Sequence, residues 1–150
     1  MNSNNFRRFL LVCTGNICRS PMAEAMWRHR LPDAADYHVS SAGIGALIDC
    51  PAEEHAVTVM REWGLDLSAH RARQLDLELA CDYDLILVMD NLQRQWIGKR
   101  IRVLRGRVYL LGHWSDGEIA DPFRGSEQDF RTARDRIDRA TDAWLQWLRP

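Results

Sequence analysis

Four short apolar segments are spaced along the chain and predict the strands of a sheet. Each is mostly apolar and partly β-branched, and the third is almost continuously apolar, which is typical of a parallel strand covered on both faces. The segments are residues 8–13, 37–41, 84–89 and 107–111.

Helical patterns fill the intervals between these strands. The predicted helices cover residues 20–31, 51–63, 91–99 and 126–148. Proline lies in the first turn of the first two, and the last carries a single apolar stripe. Ser126 and Asp129, three residues apart, resemble a capping box at the start of that last helix.

Strands that alternate with helices predict a three-layer α/β fold in which helices flank a central four-stranded parallel sheet. The length of 150 residues fits a single domain over residues 1–150. Such sheets bind ligands beyond the carboxyl ends of their strands. We therefore expect the loops at residues 13–19, 41–49 and 112–123 to converge at one edge.

The net charge, the apolar stretches and the cysteine spacing bear on the protein's partners and cellular location. The formal net charge is -1, which gives no reason to expect nucleic acid or an anionic membrane as partner. No apolar stretch matches a signal peptide or the roughly 18 to 20 residues that span a bilayer, so we expect a cytoplasmic protein with no membrane insertion. The four cysteines are then expected to be reduced, and their spacing predicts neither a metal site nor a cofactor.

The first of the three loops has the composition of an anion site. Its residues, CTGNICRS at positions 13–20, join a buried strand to the positive end of a helix. Backbone N–H groups can form a nest there, because Gly15 and Asn16 tolerate left-handed angles, and Arg19 offers a planar fork for phosphate oxygens. The same positive field favours the nucleophilic thiolate of Cys13, to which Ser20 can donate a hydrogen bond.

The composition of this loop is also compatible with simpler interpretations. The chain lacks the glycine patterns of dinucleotide and nucleoside triphosphate sites. A cysteine at a strand end is often only a small buried hydrophobe, and a cysteine six residues before an arginine also occurs by chance. The combination of strand, Gly15-Asn16, Arg19 and helix favours a phosphate cradle with a thiol at its base.

The segment VCTGNICRSPMAEA resembles the signature of the low-molecular-weight protein tyrosine phosphatases. Further segments follow in the order that this family expects, namely SAGIGALID, LDLSAHRARQL, YDLILVMD, LLGHW and DPF. The resemblance covers nearly the whole chain and is closest to the bacterial branch that partners autophosphorylating tyrosine kinases in capsule and exopolysaccharide export. It implies a phosphotyrosine protein as substrate, with such a kinase as the expected partner, and a monomer or weak dimer.

The resemblance also implies a two-step reaction without a metal. Cys13 attacks phosphorus while Arg19 and the loop hold the phosphoryl oxygens. The phosphate-binding residues are Thr14, Gly15, Asn16, Ile17, Cys18 and Ser20. Asp121, in the Asp-Pro-Phe of the third loop, matches the family's acid, which protonates the leaving phenol and then accepts a proton from the hydrolytic water. Taken alone, an Asp-Pro pair is a common turn.

Three side chains are expected to form the substrate pocket. Phe123 occupies a position where the family commonly has tyrosine, and its phenyl face still stacks on a phosphotyrosine ring. Leu47 would form the opposite wall, unless it is an ordinary apolar loop residue. Ile17 replaces the threonine of relatives that dephosphorylate arginine, so it favours phosphotyrosine.

Supporting side chains are implied in the same way. In the family, the residues that match Asn16, Ser41 and His70 hydrogen-bond one another and hold the loop open, although His70 alone reads equally as a surface histidine. Cys18 is a candidate for a reversible disulfide with Cys13 under oxidation, with a buried spectator thiol as the alternative.

The remaining cysteines and Asp121 help to distinguish a tyrosine phosphatase from alternative functions. Cys50 and Cys81 are interpreted as packing residues. An arsenate reductase of the same architecture would need further cysteines near Cys81, and residues 82–88 contain none. A non-catalytic phosphotyrosine-binding or redox-sensing module would not need the acid Asp121, whereas phosphoarginine stays open as an alternative substrate.

Overall fold

In a computed structural model that describes residues 5–32 and 36–148, four strands form one parallel sheet. The strands are β1 (Arg8–Cys13), β2 (His38–Gly43), β3 (Leu85–Val88) and β4 (Val108–Leu110). Their order is β2-β1-β3-β4, and each neighbouring pair is parallel. The predicted four-stranded parallel sheet is therefore confirmed, with β1 in its interior.

Helices cover both faces of the sheet. They are α1 (Arg19–Arg30), α2 (Glu54–Arg61), α3 (Leu77–Cys81), α4 (Asn91–Arg100) and α5 (Glu127–Leu148). Two short 3₁₀ helices, Arg102–Leu104 and Leu111–Trp114, flank β4. None of the helices in the described ranges is both long and apolar enough to cross a membrane.

Alternate side chains of the strands enter two separate cores. Phe9 and Leu11 of β1 pack in the core that α1, α2 and α5 cover, whereas Leu10 and Val12 pack in the core beneath α3 and α4. This alternation follows from the period of two in a strand. It produces the predicted arrangement of three layers.

The predicted element bounds hold to within a few residues, and the larger differences have local causes. β2 continues to Gly43 because its pairing with β1 extends to Cys13. The second helix begins at Glu54 and not at residue 51, because Glu53 is extended and its N–H donates to the Ile17 carbonyl at 2.8 Å. Residues 51–53 therefore support the first loop.

Two further predictions concern the start of α5 and the surroundings of Cys50 and Cys81, and only the first is correct. The capping box at the start of α5 is confirmed, since Ser126 N donates to Asp129 Oδ2 at 2.9 Å and Asp129 N donates to Ser126 Oγ at 3.2 Å. The interpretation of Cys50 and Cys81 as packing residues is wrong, because both are exposed. Each lies at a loop or a helix end, outside the two cores.

Candidate active site

Loops that follow β1, β2 and β4 meet around a cavity of about 200 Å³. The side chains predicted for catalysis and for the substrate pocket all line this cavity, namely Cys13, Ile17, Arg19, Leu47, Asp121 and Phe123. Thr14, Gly15 and Cys18 line it as well. The fold thus brings together residues that are more than a hundred positions apart in the chain.

Cys13 lies at the base of the cavity and is 3% exposed. Its Sγ is 2.9 Å from Ser20 Oγ and accepts a hydrogen bond from the Asn16 N–H at 3.3 Å. Ser20 Oγ in turn accepts from Asn16 Nδ2 at 2.7 Å. Because that hydroxyl already accepts, its own hydrogen is available to donate to the Cys13 sulfur, which then accepts two hydrogen bonds.

Asn16 holds the loop from behind the cavity. Its Oδ1 accepts from the backbone N–H of Arg73 at 2.9 Å, which identifies the amide oxygen, and its Nδ2 also donates to Ser41 Oγ at 3.0 Å. His70 Nε2 donates to the Asn16 carbonyl at 2.6 Å. Asn16, with φ of 59°, adopts the left-handed conformation in this loop, whereas Gly15 does not.

Arg19 begins α1 and is almost completely buried, with 2% exposure. Its Nη1 donates to Asp90 Oδ2 at 3.2 Å and to the Ile119 carbonyl at 2.8 Å. Its Nη2 lies 3.7 Å from Asp121 Oδ2. Its Nε is buried and has no hydrogen-bond partner within the described ranges, so this donor is unsatisfied in that part of the chain.

Asp121 and Phe123 form the mouth of the cavity. The Asp121 carboxylate is about half exposed, and its Oδ1 accepts from the Phe123 N–H at 3.0 Å. Phe123 and Leu47 are 44% and 47% exposed. Two apolar side chains and one carboxylate therefore face an incoming ligand, with the thiol and guanidinium below them.

Cys18 differs from Cys13 in its surroundings. Burial, reinforced by the neighbouring Cys13 and Asp121, raises the pKa of Cys18 far above its ordinary range. It therefore stays a protonated thiol at neutral pH. Both cysteines are free, and the reversible disulfide between them stays a prediction.

Three residues that support the site are absent from the predictions made from the sequence. Asp90 holds Arg19, Gln93 donates to Thr14 Oγ1 at 3.2 Å, and Arg73 binds Asn16 through its backbone. Asp90 had one signal, since it follows β3 at the same edge of the sheet as the three loops. Gln93 and Arg73 had none, because a glutamine on a helix and an arginine in a basic run are usually solvated.

Comparison with known proteins shows the family to which the chain belongs. The family model described as low molecular weight phosphotyrosine protein phosphatase matches residues 8–150. A probable low molecular weight protein-tyrosine-phosphatase, EpsP of Ralstonia nicotianae, is 47% identical over 143 residues, which cover 95% of this chain and 97% of the relative.

Solved structures give the same result. The tyrosine phosphatase Wzb from Escherichia coli K30, in complex with sulphate, matches with a TM-score of 0.91 and 39% identity, covering 95% of this chain and 99% of that one. The YwlE arginine phosphatase from Geobacillus stearothermophilus matches with a TM-score of 0.88 and 35% identity, covering 95% and 93%. The predicted family resemblance is therefore confirmed, and the chain belongs to the low molecular weight protein-tyrosine phosphatases, a family of hydrolases.

Proposed function

We propose that this chain hydrolyses phosphotyrosine in proteins by transferring the phosphoryl group first to Cys13 and then to water. The observation that carries the proposal is the buried Nε of Arg19, which has no partner in residues 5–32 and 36–148 and lies on a side chain that lines the Cys13 cavity. A buried donor without a partner costs about 1–3 kcal/mol. A phosphoryl oxygen held in the loop would satisfy it.

In the first step the Cys13 thiolate forms a bond to phosphorus and the bond from phosphorus to the phenolic oxygen breaks. Asp121 gives its proton to the departing oxygen, so that a neutral phenol leaves. In the second step a water oxygen attacks phosphorus, Asp121 accepts the water proton, and the sulfur–phosphorus bond breaks to release phosphate. Arg19 and the loop N–H groups stabilise the phosphoryl charge in both steps.

Sulfate and phosphoryl groups share a tetrahedral shape and negative charge. The solved Wzb relative is described as a complex with sulphate, which supports an anion site in proteins of this fold. The cradle of this chain offers the same chemistry through the backbone of residues 14–18, the start of α1 and Arg19.

Phosphotyrosine is the substrate that the cavity walls favour. Ile17, Leu47 and Phe123 offer apolar contacts of the kind that pack on a phenyl ring. The overall fold does not discriminate, because the YwlE arginine phosphatase has a similar backbone. Phosphoarginine peptides therefore serve as the competing substrate in the test, and we expect turnover of phosphotyrosine peptides to exceed theirs.

The physiological substrate that we propose is a bacterial tyrosine kinase of capsule or exopolysaccharide export, acting in the cytoplasm. The proposal is supported by the similarity to proteins named EpsP and Wzb. Incubation with an autophosphorylated kinase of this class is expected to remove its phosphotyrosine. A kinase that keeps its phosphotyrosine while aryl phosphates are hydrolysed would contradict this choice of partner.

The chemistry is tested with wild type, Cys13→Ser and Asp121→Ala in the presence of a chelator. Cys13→Ser is expected to lose turnover, and rapid quenching of wild type is expected to trap phosphate on Cys13. Asp121→Ala should lose about a hundred- to ten-thousandfold in kcat on phenyl phosphate, and less on p-nitrophenyl phosphate, whose leaving group needs less protonation. Full activity in Cys13→Ser would overturn the mechanism.

A further inference from the structure

The first turn of α4 places a buried glutamine behind residues 13–20, the proposed phosphate loop. Gln93 is 0% exposed, and its Oε1 accepts from the backbone N–H of Met89 at 2.7 Å. A backbone N–H can only donate, so this contact identifies the oxygen of the amide. The amide NH₂ group must then lie on the other side, towards the loop.

The NH₂ group determines how the hydroxyl of Thr14 is used. Gln93 Nε2 lies 3.2 Å from Thr14 Oγ1, and because an amide NH₂ only donates, the hydroxyl oxygen accepts. The single hydrogen of that hydroxyl needs another acceptor. Within residues 5–32 and 36–148 no protein group accepts it, and Thr14 is exposed and lines the cavity with Cys13 and Arg19.

We propose that Gln93 orients the Thr14 hydroxyl as a hydrogen-bond donor to a phosphoryl oxygen of the bound substrate. Gln93 is thus a positioning residue, which acts through Thr14 and does not touch the substrate itself. The inference rests on the proposed use of the Cys13 cavity for phosphoryl transfer, and it adds one side-chain donor to those of Arg19 and the loop backbone.

The same helical turn also holds Arg19. Asp90 Oδ1 accepts from the Gln93 N–H at 3.0 Å and so caps α4, while its Oδ2 accepts from Arg19 Nη1. One turn of α4 therefore sets the positions of two donors to the phosphoryl group. The buried side-chain amide of Gln93 has partners of its own, because its oxygen accepts from the Met89 N–H and its NH₂ group donates to Thr14 Oγ1.

Thr14→Val tests the donor directly, because valine keeps the shape of threonine and removes the hydroxyl. With inorganic phosphate as the probe, we expect the inhibition constant to rise about tenfold, as for loss of one hydrogen bond to a charged group. Thr14→Ser restores the hydroxyl and should recover most of that loss. An inhibition constant for Thr14→Val within about twofold of wild type would overturn the proposal.

Gln93→Glu tests the orientation. Glutamate can still accept from the Met89 N–H, but its second oxygen accepts where the NH₂ donated, so Thr14 would donate to residue 93 and not to the phosphate. We expect about tenfold weaker phosphate inhibition in the wild-type background and less than about twofold in the Thr14→Val background. Gln95→Glu, which introduces the same charge at an exposed position of α4, is the matched control and should leave phosphate inhibition unchanged.

The outcomes are distinguishable. A loss in Gln93→Glu that persists in the Thr14→Val background, or that Gln95→Glu reproduces, would be a charge effect and would overturn the orientation by Gln93. If substitution at position 93 prevents folding, as thermal unfolding would reveal, the Thr14→Val and Thr14→Ser pair still decides whether the hydroxyl binds phosphate. Turnover in Cys13→Ser would refute the proposed function itself, independently of these results.

Discussion

At the scale of single residues, Gly43 is a position where the backbone of a neighbouring loop leaves no room for a side chain. It ends β2 against the phosphate loop, and a Cβ there would collide with the Thr14 carbonyl oxygen and lie 3.0 Å from the Asn16 nitrogen. Displacing the backbone atoms of a tight loop costs free energy. The glycine is therefore required by close approach and not by an unusual backbone angle.

Gly43→Ala is expected to displace the phosphate loop. Overpacking of this kind costs typically about 1–3 kcal/mol in the free energy of unfolding, and kcat/KM on an aryl phosphate should fall because the cradle no longer fits the phosphoryl group. Gly106→Ala is the control, since a Cβ at Gly106 meets nothing within 4 Å. Urea unfolding and steady-state kinetics that match wild type in Gly43→Ala would contradict this prediction.

At the scale of secondary-structure elements, an ion-pair network joins α2 to α5. The Glu62 carboxylate, just after α2, accepts from Arg131 Nη2 and from Arg134 Nη1, each at 2.7 Å. Arg134 is buried and lies over the Trp63 ring at 4.1 Å. These hydrogen bonds lower the pKa of Glu62 from 4.5 to about 2.

The network predicts a specific loss of stability in acid. A carboxylate whose pKa is lower in the folded state stabilises that state above its unfolded pKa. The contribution of Glu62 should therefore be complete above pH 4.5 and disappear as the pH falls through about 2. Glu62→Gln should lower stability at neutral pH and show a weaker pH dependence across that window.

Urea unfolding at a series of pH values measures this effect. Glu54→Gln, which removes a carboxylate at the first residue of α2 that makes no ion pair within residues 5–32 and 36–148, is the control that leaves the Glu62 network intact. An unchanged profile in Glu62→Gln would show that other carboxylates are responsible for the loss of stability in acid.

At the scale of the whole molecule, α5 links the loop that carries Asp121 and Phe123 to the rest of the fold. It packs on α1, on α2 and on the 3₁₀ helix Leu111–Trp114. Trp144 is 0% exposed, and its Nε1 donates to the Leu110 carbonyl at 3.3 Å. The segment that carries Asp121 and Phe123 runs from that 3₁₀ helix to α5, so this packing anchors both of its ends.

Trp144→Ala is expected to lower the free energy of unfolding by about 3–5 kcal/mol, as for other buried aromatic side chains. The kcat on phenyl phosphate should also fall, because Asp121 loses its fixed position. Trp96→Ala, at a half-buried position stacked with Arg100, should cost less stability and leave kcat unchanged. Equal losses in the two variants would contradict the anchoring role of Trp144.

Much of the fold was predictable because its signals are local. Apolar runs marked the four strands, and Ser126 with Asp129 marked the start of α5. α3 was missed because a helix of five residues carries too little periodicity. The late start of α2 was missed because it depends on a hydrogen bond from the Glu53 N–H to the Ile17 carbonyl. No residue pattern within the helix indicates this long-range contact.

The sequence by itself determined the four strands, the four longer α-helices, the loop of Cys13 to Ser20 and the likeness that marks Asp121 as the candidate acid. These follow from periodicity, residue type and spacing along a continuous segment. Only the tertiary structure decided that Asp90 holds Arg19, that Gln93 donates to Thr14 and that Arg73 holds Asn16. The physical reason is that these hydrogen bonds join residues 71, 79 and 57 positions apart, and their donors and acceptors meet only when the parallel strands bring their carboxyl ends to one edge of the sheet.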